Sequence, residues 1–248
     1  MTQTHHTLMT ILKALFLSFA LSCVAIRATA TTYLVAVGVS DYPGTANDLS
    51  LPANDAATIQ FIYDKNSNAE TVLLTNGKAT KSAVLEALRT LFAKAKEDDI
   101  IIFFFSGHGT KGAFCAYDTL IKYSEIRSIL AASKAGSKMI FADACFSGKM
   151  RGARKHSPGQ AFRNHNIMLF LSSRDSETSI ERRDMKNGFF TSCLQRGLRG
   201  GADANRDRII TAKELFSYVS TGVKNLSGDR QHPVMWGKFS DNMTVMKW

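Results

Sequence analysis

The stretch Ile100-Ile101-Ile102-Phe103-Phe104-Phe105 leaves this chain few choices of fold. Six consecutive β-branched or aromatic residues favour strand over helix. The run has no polar alternate, so both of its faces must be buried. That is the condition of a central parallel strand covered by helices on each side. It gives way at Ser106-Gly107-His108-Gly109. A histidine held between two glycines is an unusual strand ending, because glycine lets the backbone turn sharply and lets another group come close. The carboxyl end of a parallel strand is also where open α/β sheets carry their chemistry.

A second segment repeats this design. Lys138-Met139-Ile140-Phe141-Ala142 is a short apolar run, and it ends in Asp143-Ala144-Cys145-Phe146-Ser147-Gly148. If the two runs are neighbouring parallel strands, His108 and Cys145 emerge side by side at one sheet edge. That pairing supplies a cysteine nucleophile with a histidine base.

The remaining periodicities fit the same plan. Thr32 to Val39 reads as a buried first strand, followed by a turn at Ser40-Asp41-Tyr42-Pro43-Gly44. Leu51-Pro52-Ala53-Asn54-Asp55 opens a helix to about Asp64. Thr71 to Thr75 is a second strand, and Thr80 caps a helix whose apolar stripe is Val84, Leu85, Leu88, Leu91 and Phe92. A short helix from Ser124 precedes the strand Met139 to Ala142, and Ile167 to Leu171 is the fifth strand. Helices are expected at Phe189 to Leu198 and Ala212 to Val219, with a last strand at Met243 to Met246. Between strands four and five, residues 149–165 carry Lys149, Arg151, Arg154, Lys155 and Arg163 without an acid, and have no apolar period. That stretch is expected to be an exposed loop. Strand–helix alternation without a linker or repeat predicts one layered α/β domain.

The first thirty residues stand apart. Lys13 precedes an uncharged apolar run from Ala14 to Ile26, and Arg27 and Ala28-Thr29-Ala30 follow. The pattern is that of a signal peptide over residues 1–30, leaving a domain of 31–248 and a secreted or periplasmic destination. The run is shorter than the roughly 20 residues a spanning helix needs, so no stable membrane span is expected. Ala20-Leu21-Ser22 fits a lipid-attachment signal poorly, and Cys23 is not read as an anchor. Removal of 1–30 takes Lys13 and Arg27 and leaves a formal charge of about +8. No basic helix or aromatic–basic alternation accompanies that charge, so it reads as a solvated surface and not as a nucleic-acid interface. Cys115, Cys145 and Cys193 remain, too few and too odd for a disulfide framework. With no Cys-x-x-Cys pair, a structural zinc site is not expected.

The two strand endings together resemble the caspase-like cysteine peptidases, the metacaspase branch in particular. Caspases proper usually carry Gln-Ala-Cys at the nucleophile, and this chain has Asp143 in place of that Gln. Tyr33 to Val39 with Pro52-Ala53-Asn54-Asp55-Ala56, the loop Ser173 to Ser179, Asn187-Gly188-Phe189-Phe190-Thr191 and Gln231-His232-Pro233-Val234-Met235 extend the resemblance over most of the domain. The implied fold is the caspase–haemoglobinase sheet, five parallel strands and one antiparallel, with helices on both faces. The resemblance implies His108 as base, Cys145 as nucleophile, and the backbone N–H groups of Cys145 and Gly109 as oxyanion donors. It implies that Asp55 and Asp143 line the pocket for the residue before the scissile bond, with Asp175 as a third wall residue. Carboxylates there select Arg or Lys. Without the resemblance, Asp55 reads equally well as an acid favoured by the helix dipole.

The implied partners are polypeptides bearing basic residues, and the basic loop at 149–163 is itself such a sequence, so self-processing there is expected. No cofactor is expected. The resemblance leaves a calcium requirement open: Asp118 matches one acid of a family calcium site, but no acidic pair lies near Tyr123-Ser124. Asp203 to Glu214 matches an EF-hand loop at several positions, with Arg208 where glycine is usual. The favoured reading of that segment is a turn followed by a capping box from Thr211 to Glu214. The rival from another class is a catalytically silent binding protein on the same scaffold, sensing calcium or displaying a peptide groove.

Overall fold

In a computed structural model of the chain, the residues described are 30–66, 68–110, 112–145, 162, 166–174 and 184–247, with only the backbone described at 145. The apolar runs become the interior of a six-stranded sheet. Its strands are β1 (Thr32–Gly38), β2 (Ala69–Thr75), β3 (Ile100–His108), β6 (Ser137–Cys145), β7 (Met168–Leu171) and β9 (Val234–Trp236), in the order β2-β1-β3-β6-β7-β9. The first five run parallel, and β9 closes one edge antiparallel to β7.

The period of two in a strand explains why β3 has no polar alternate. Val35, Val37, Ile101, Phe103, Phe105, Ile140 and Leu169 belong to one core cluster. Leu34, Ala36, Ile102, Phe104, Phe141 and Phe170 belong to the other. Helix α2 (Lys81–Phe92) and helix α3 (Tyr123–Ala132) cover the first face with Val84, Leu88, Phe92, Ile126 and Leu130. Helix α1 (Pro52–Asp64), helix α4 (Phe189–Arg196) and helix α5 (Ala212–Ser227) cover the second with Ile59, Tyr63, Phe190, Leu194, Leu215 and Val219. Each fully buried large side chain contributes roughly 1.5–3 kcal/mol, so the doubly covered sheet is the main source of stability.

Four local features differ from the sequence expectation. Strand β3 does not stop at Phe105 but continues through Ser106, Gly107 and His108, because β6 extends alongside it and pairs with every residue. A hairpin of β4 (Ala113–Cys115) and β5 (Leu120–Lys122) follows β3; its strands are too short to show a period. The segment Met243 to Met246 does not join the main sheet. Its strand β10 (Thr244–Lys247) pairs with β8 (Ile209–Thr211), and the antiparallel edge is supplied by Val234–Trp236. Helix α5 runs past Val219 to Ser227, where Gly228 terminates it in the left-handed conformation.

Among the described residues, no helix is long and apolar enough to cross a membrane.

Candidate active site

The carboxyl ends of β1, β3 and β6 meet at one edge of the sheet. In the β3–β6 ladder, Ser106 stands opposite Asp143, Gly107 opposite Ala144, and His108 opposite Cys145. Neighbouring strands lie about 4.8 Å apart, so the backbones of His108 and Cys145 are nearest neighbours across the ladder. The thiol of Cys145 lies outside the described residues.

His108 is held by the loop that follows β1. Its Nε2 lies 2.8 Å from the carbonyl oxygen of Asn47. A carbonyl can only accept, so Nε2 carries the proton of the neutral ring, and Nδ1 is left as the nitrogen able to take a proton. The ring of Tyr42 packs against the imidazole, with centroids 5.0 Å apart and planes at 40°. Gly109 lies one residue beyond β3 and bridges Phe114 of the hairpin.

Ser106 and Asp143 both turn to the face carrying α1 and α4, and two acids converge there. Asp55, in the first turn of α1, is 2% exposed, and Asp143 is 8% exposed. Asp55 Oδ2 accepts from Ser106 Oγ at 2.9 Å, and its Oδ1 accepts from Asn187 Nδ2 at 2.9 Å and from Gly188 N at 3.1 Å. Asp143 Oδ2 accepts from Thr191 N at 3.2 Å and Thr191 Oγ1 at 2.9 Å. A Cβ at Gly188 would sit 2.6 Å from Asp143 Oδ2 and 3.5 Å from Asp55 Oδ2, so only glycine fits between the two carboxylates. Burial, and then the neighbouring Asp143, raise the Asp55 carboxyl well above the ordinary carboxylate range, while bonds from Asn187, Ser106 and Gly188 pull it back.

The expected site residues thus fall into three groups. His108, Gly109 and the backbone of Cys145 share one strand end, and Asp55 and Asp143 form a buried pair beside it. Asp175 and, apart from Phe162, the basic stretch 149–165 lie outside the described residues. Phe162 is buried in the core against Tyr123, so at that position the expectation of an exposed loop fails because an aromatic side chain finds a place under the sheet's first face. The other cysteines are core: Cys115 and Cys193 are buried, and burial pushes both thiols up to about 11. His232 lies two residues before β9, whose first residue pairs with the last of β7, and its Nε2 is 3.1 Å from Asp229 Oδ1.

The segments weighed for calcium are engaged otherwise. Asp118 Oδ1 accepts from Lys81 N at the start of α2, and Glu125 pairs with the Lys81 ammonium at 2.9 Å. In the loop before α5, Asp203 and Asn205 accept backbone N–H groups of Asp207 and Arg208. Glu214 caps the helix, accepting from Thr211 N, while Thr211 Oγ1 accepts from Glu214 N. Arg208 adopts the left-handed geometry at φ 65° where an EF-hand would use glycine. Among the described residues no group of three or more His, Cys, Asp or Glu could hold a metal ion.

Sequence reasoning missed Tyr42, Asn47, Asn187 and Thr191 as parts of this site. Tyr42 reads only as a turn residue, and Asn47 carries no local signal. Asn187-Gly188 ahead of a helix was a visible signal, but nothing local says that it faces two acids.

A strand-end histidine in register with a strand-end cysteine, on a doubly covered sheet closed by one antiparallel strand, defines a class before any comparison is made. The family model described as "Caspase domain" matches residues 31–243. The chain belongs to this family, whose members are cysteine peptidases. Among solved structures it is similar to a protein of Geobacter sulfurreducens, with 17% identity, 88% of this chain and 97% of that chain covered, and a TM-score of 0.66. It is also similar to caspase-1 from Spodoptera frugiperda, with 15% identity, 88% of this chain and 89% of that chain covered, and a TM-score of 0.63. At these identities the likeness is one of fold. No curated protein matches the sequence.

Proposed function

We propose that this protein is a cysteine endopeptidase that cuts polypeptides after Arg or Lys, with Cys145 as nucleophile and His108 as general base. The observation that carries the reading is the register of β3 against β6, which sets His108 directly opposite Cys145. An ordinary thiol is mostly protonated at neutral pH and needs an adjacent base. Nδ1 of His108 takes the thiol proton, because Nε2 is committed to the Asn47 carbonyl. The thiolate sulfur attacks the scissile carbonyl carbon, and backbone N–H groups of Cys145 and Gly109 stabilise the oxyanion. The C–N bond breaks as the imidazolium returns its proton to the leaving amine, and water then hydrolyses the thioester.

Specificity follows from the acid pair. Two buried carboxylates close together disfavour double ionisation, and a substrate guanidinium or ammonium relieves both costs at once. Asp175 is assigned to the wall of the same pocket, and self-cleavage at 149–163 extends the specificity to the protein's own basic stretch. Export through residues 1–30 gives the enzyme extracytoplasmic substrates, and a mature product starting at Thr31 checks that part. The deciding experiment is hydrolysis of fluorogenic peptides ending in Arg, Lys, Asp or Leu by the mature protein, with and without calcium. Release from Arg and Lys peptides alone is expected. Preference for Asp would exclude the acid-lined pocket, and no hydrolysis of any peptide would favour the silent binding protein.

A further inference from the structure

We propose that Tyr42 is the positioning residue of His108: its ring and hydroxyl set the orientation in which the imidazole presents Nδ1. The proposal rests on the assignment of His108 as base. Tyr42 touches His108 in two ways. Its ring lies against the imidazole at 5.0 Å between centroids. Its hydroxyl accepts the backbone N–H of His108 at 3.0 Å and donates to the carbonyl of Cys115 at 3.2 Å. One phenol therefore ties the end of β3 to the hairpin strand β4 while walling one side of the catalytic ring. Tyr42 is only 7% exposed, and burial raises its phenol above the ordinary tyrosine value, so the hydroxyl stays protonated and can do both.

Two further observations support the assignment. The loop that carries Tyr42 also carries Asn47, whose carbonyl receives Nε2. The loop is fastened at several points: Tyr42 N donates to Asp48 Oδ1, Leu49 N to Ser40 O, and Ser40 N and Asp41 N both to Asn76 Oδ1. Ring wall and Nε2 acceptor thus sit on one loop that is closed by its own hydrogen bonds and tied to Asn76. The second observation is Gly107, at φ 150°, where a Cβ would lie 2.8 Å from the Tyr42 hydroxyl oxygen. The glycine preceding the histidine is explained by the approach of Tyr42, which no other residue at 107 permits.

The test compares wild type with Tyr42→Phe, Tyr42→Leu and Gly107→Ala, using Val223→Ala in the opposite core as a destabilised control. Two readouts are taken: kcat and KM on an Arg peptide, and the His108 ring nitrogen resonances by NMR, which report the tautomer. Wild type is expected to show a single Nε2–H tautomer. Tyr42→Leu is expected to lose it and to lower kcat about a hundredfold, the scale of a misplaced catalytic group, with KM changed by less than about twofold. Tyr42→Phe keeps the ring and falls between, and Gly107→Ala reproduces the tautomer change by displacing the phenol. Val223→Ala loses thermal stability without either effect. If Tyr42→Leu fails to fold, Tyr42→Phe and Gly107→Ala carry the comparison. An unchanged tautomer and kcat in the folded variants would overturn the proposal. Because the NMR readout needs no turnover, an inactive wild type would remove the peptidase assignment and still leave the positioning of His108 decided.

Discussion

Replacing Asp55 by Asn separates the cost of the acid pair from its use. The two side chains are isosteric. In Asp55→Asn, Oδ1 still accepts from Asn187 Nδ2 and Gly188 N, and the new NH2 faces Ser106 Oγ, a hydroxyl that can turn to accept. The hydrogen bonds survive and the charge does not. Burial raises the Asp55 carboxyl above 3.8, its ordinary value, so the folded state holds a proton at a pH where the unfolded chain has released it. Folding is then favoured at low pH and loses stability as pH rises from the unfolded value through the raised one, by at most about 1.4 kcal/mol per pH unit. Asp55→Asn should be flat across that window, and at neutral pH it should be at least as stable as wild type. Guanidinium denaturation of both proteins at a series of pH values measures this, and the difference curve cancels titrating groups not coupled to Asp55, leaving the response of the Asp55–Asp143 pair. The same variant should fail as an enzyme. Losing one charge partner of a desolvated guanidinium costs about 2–5 kcal/mol, or roughly thirty-fold to several thousand-fold in kcat/KM on Arg peptides. A variant several kcal/mol less stable than wild type at neutral pH would refute the argument from desolvation. A stable variant cutting Arg peptides at the wild-type rate would refute the role in specificity.

Three further outcomes are expected. Cys145→Ala and His108→Ala should each abolish peptide cleavage in a folded protein, and iodoacetamide near pH 8 should label Cys145 ahead of Cys115 and Cys193, whose buried thiols are pushed up to about 11; mass spectrometry of digested protein reads the order. Purified wild type should separate into two chains cut between Lys149 and Arg163 while Cys145→Ala stays whole, and equal nicking in both would assign the cut to another protease. Thr211→Ala removes the side chain that accepts from Glu214 N at the start of α5 and should cost about 0.5–2 kcal/mol in urea denaturation, with activity unchanged.

Much of the architecture was legible because its causes are local. An unbroken apolar run is pinned to a doubly covered strand by its own composition, and the stripe Val84, Leu85, Leu88, Leu91 and Phe92 can only face a core as a helix. The capping box Thr211–Glu214 lies within one helical turn and was read in place. The hairpin of β4 and β5 escaped because three-residue strands carry no usable period. The exchange of Met243–Met246 for Val234–Trp236 at the sheet edge escaped because a short apolar segment does not name its partner.

The sequence by itself determined which residues could do chemistry: a histidine and a cysteine at two strand ends, each beside glycine or small residues that keep main chain accessible. Only the tertiary structure decided how they stand together. Register is a property of the ladder and not of either strand, and a slip of one residue would turn His108 away from the place opposite Cys145. The acid pair is bridged by bonds spanning 132 residues from Asp55 to Asn187 and 48 from Asp143 to Thr191. The hold of Tyr42 on His108 spans 66. Contacts of that separation leave no pattern in neighbouring residues, because burial against a distant element, and not local propensity, brings the groups together.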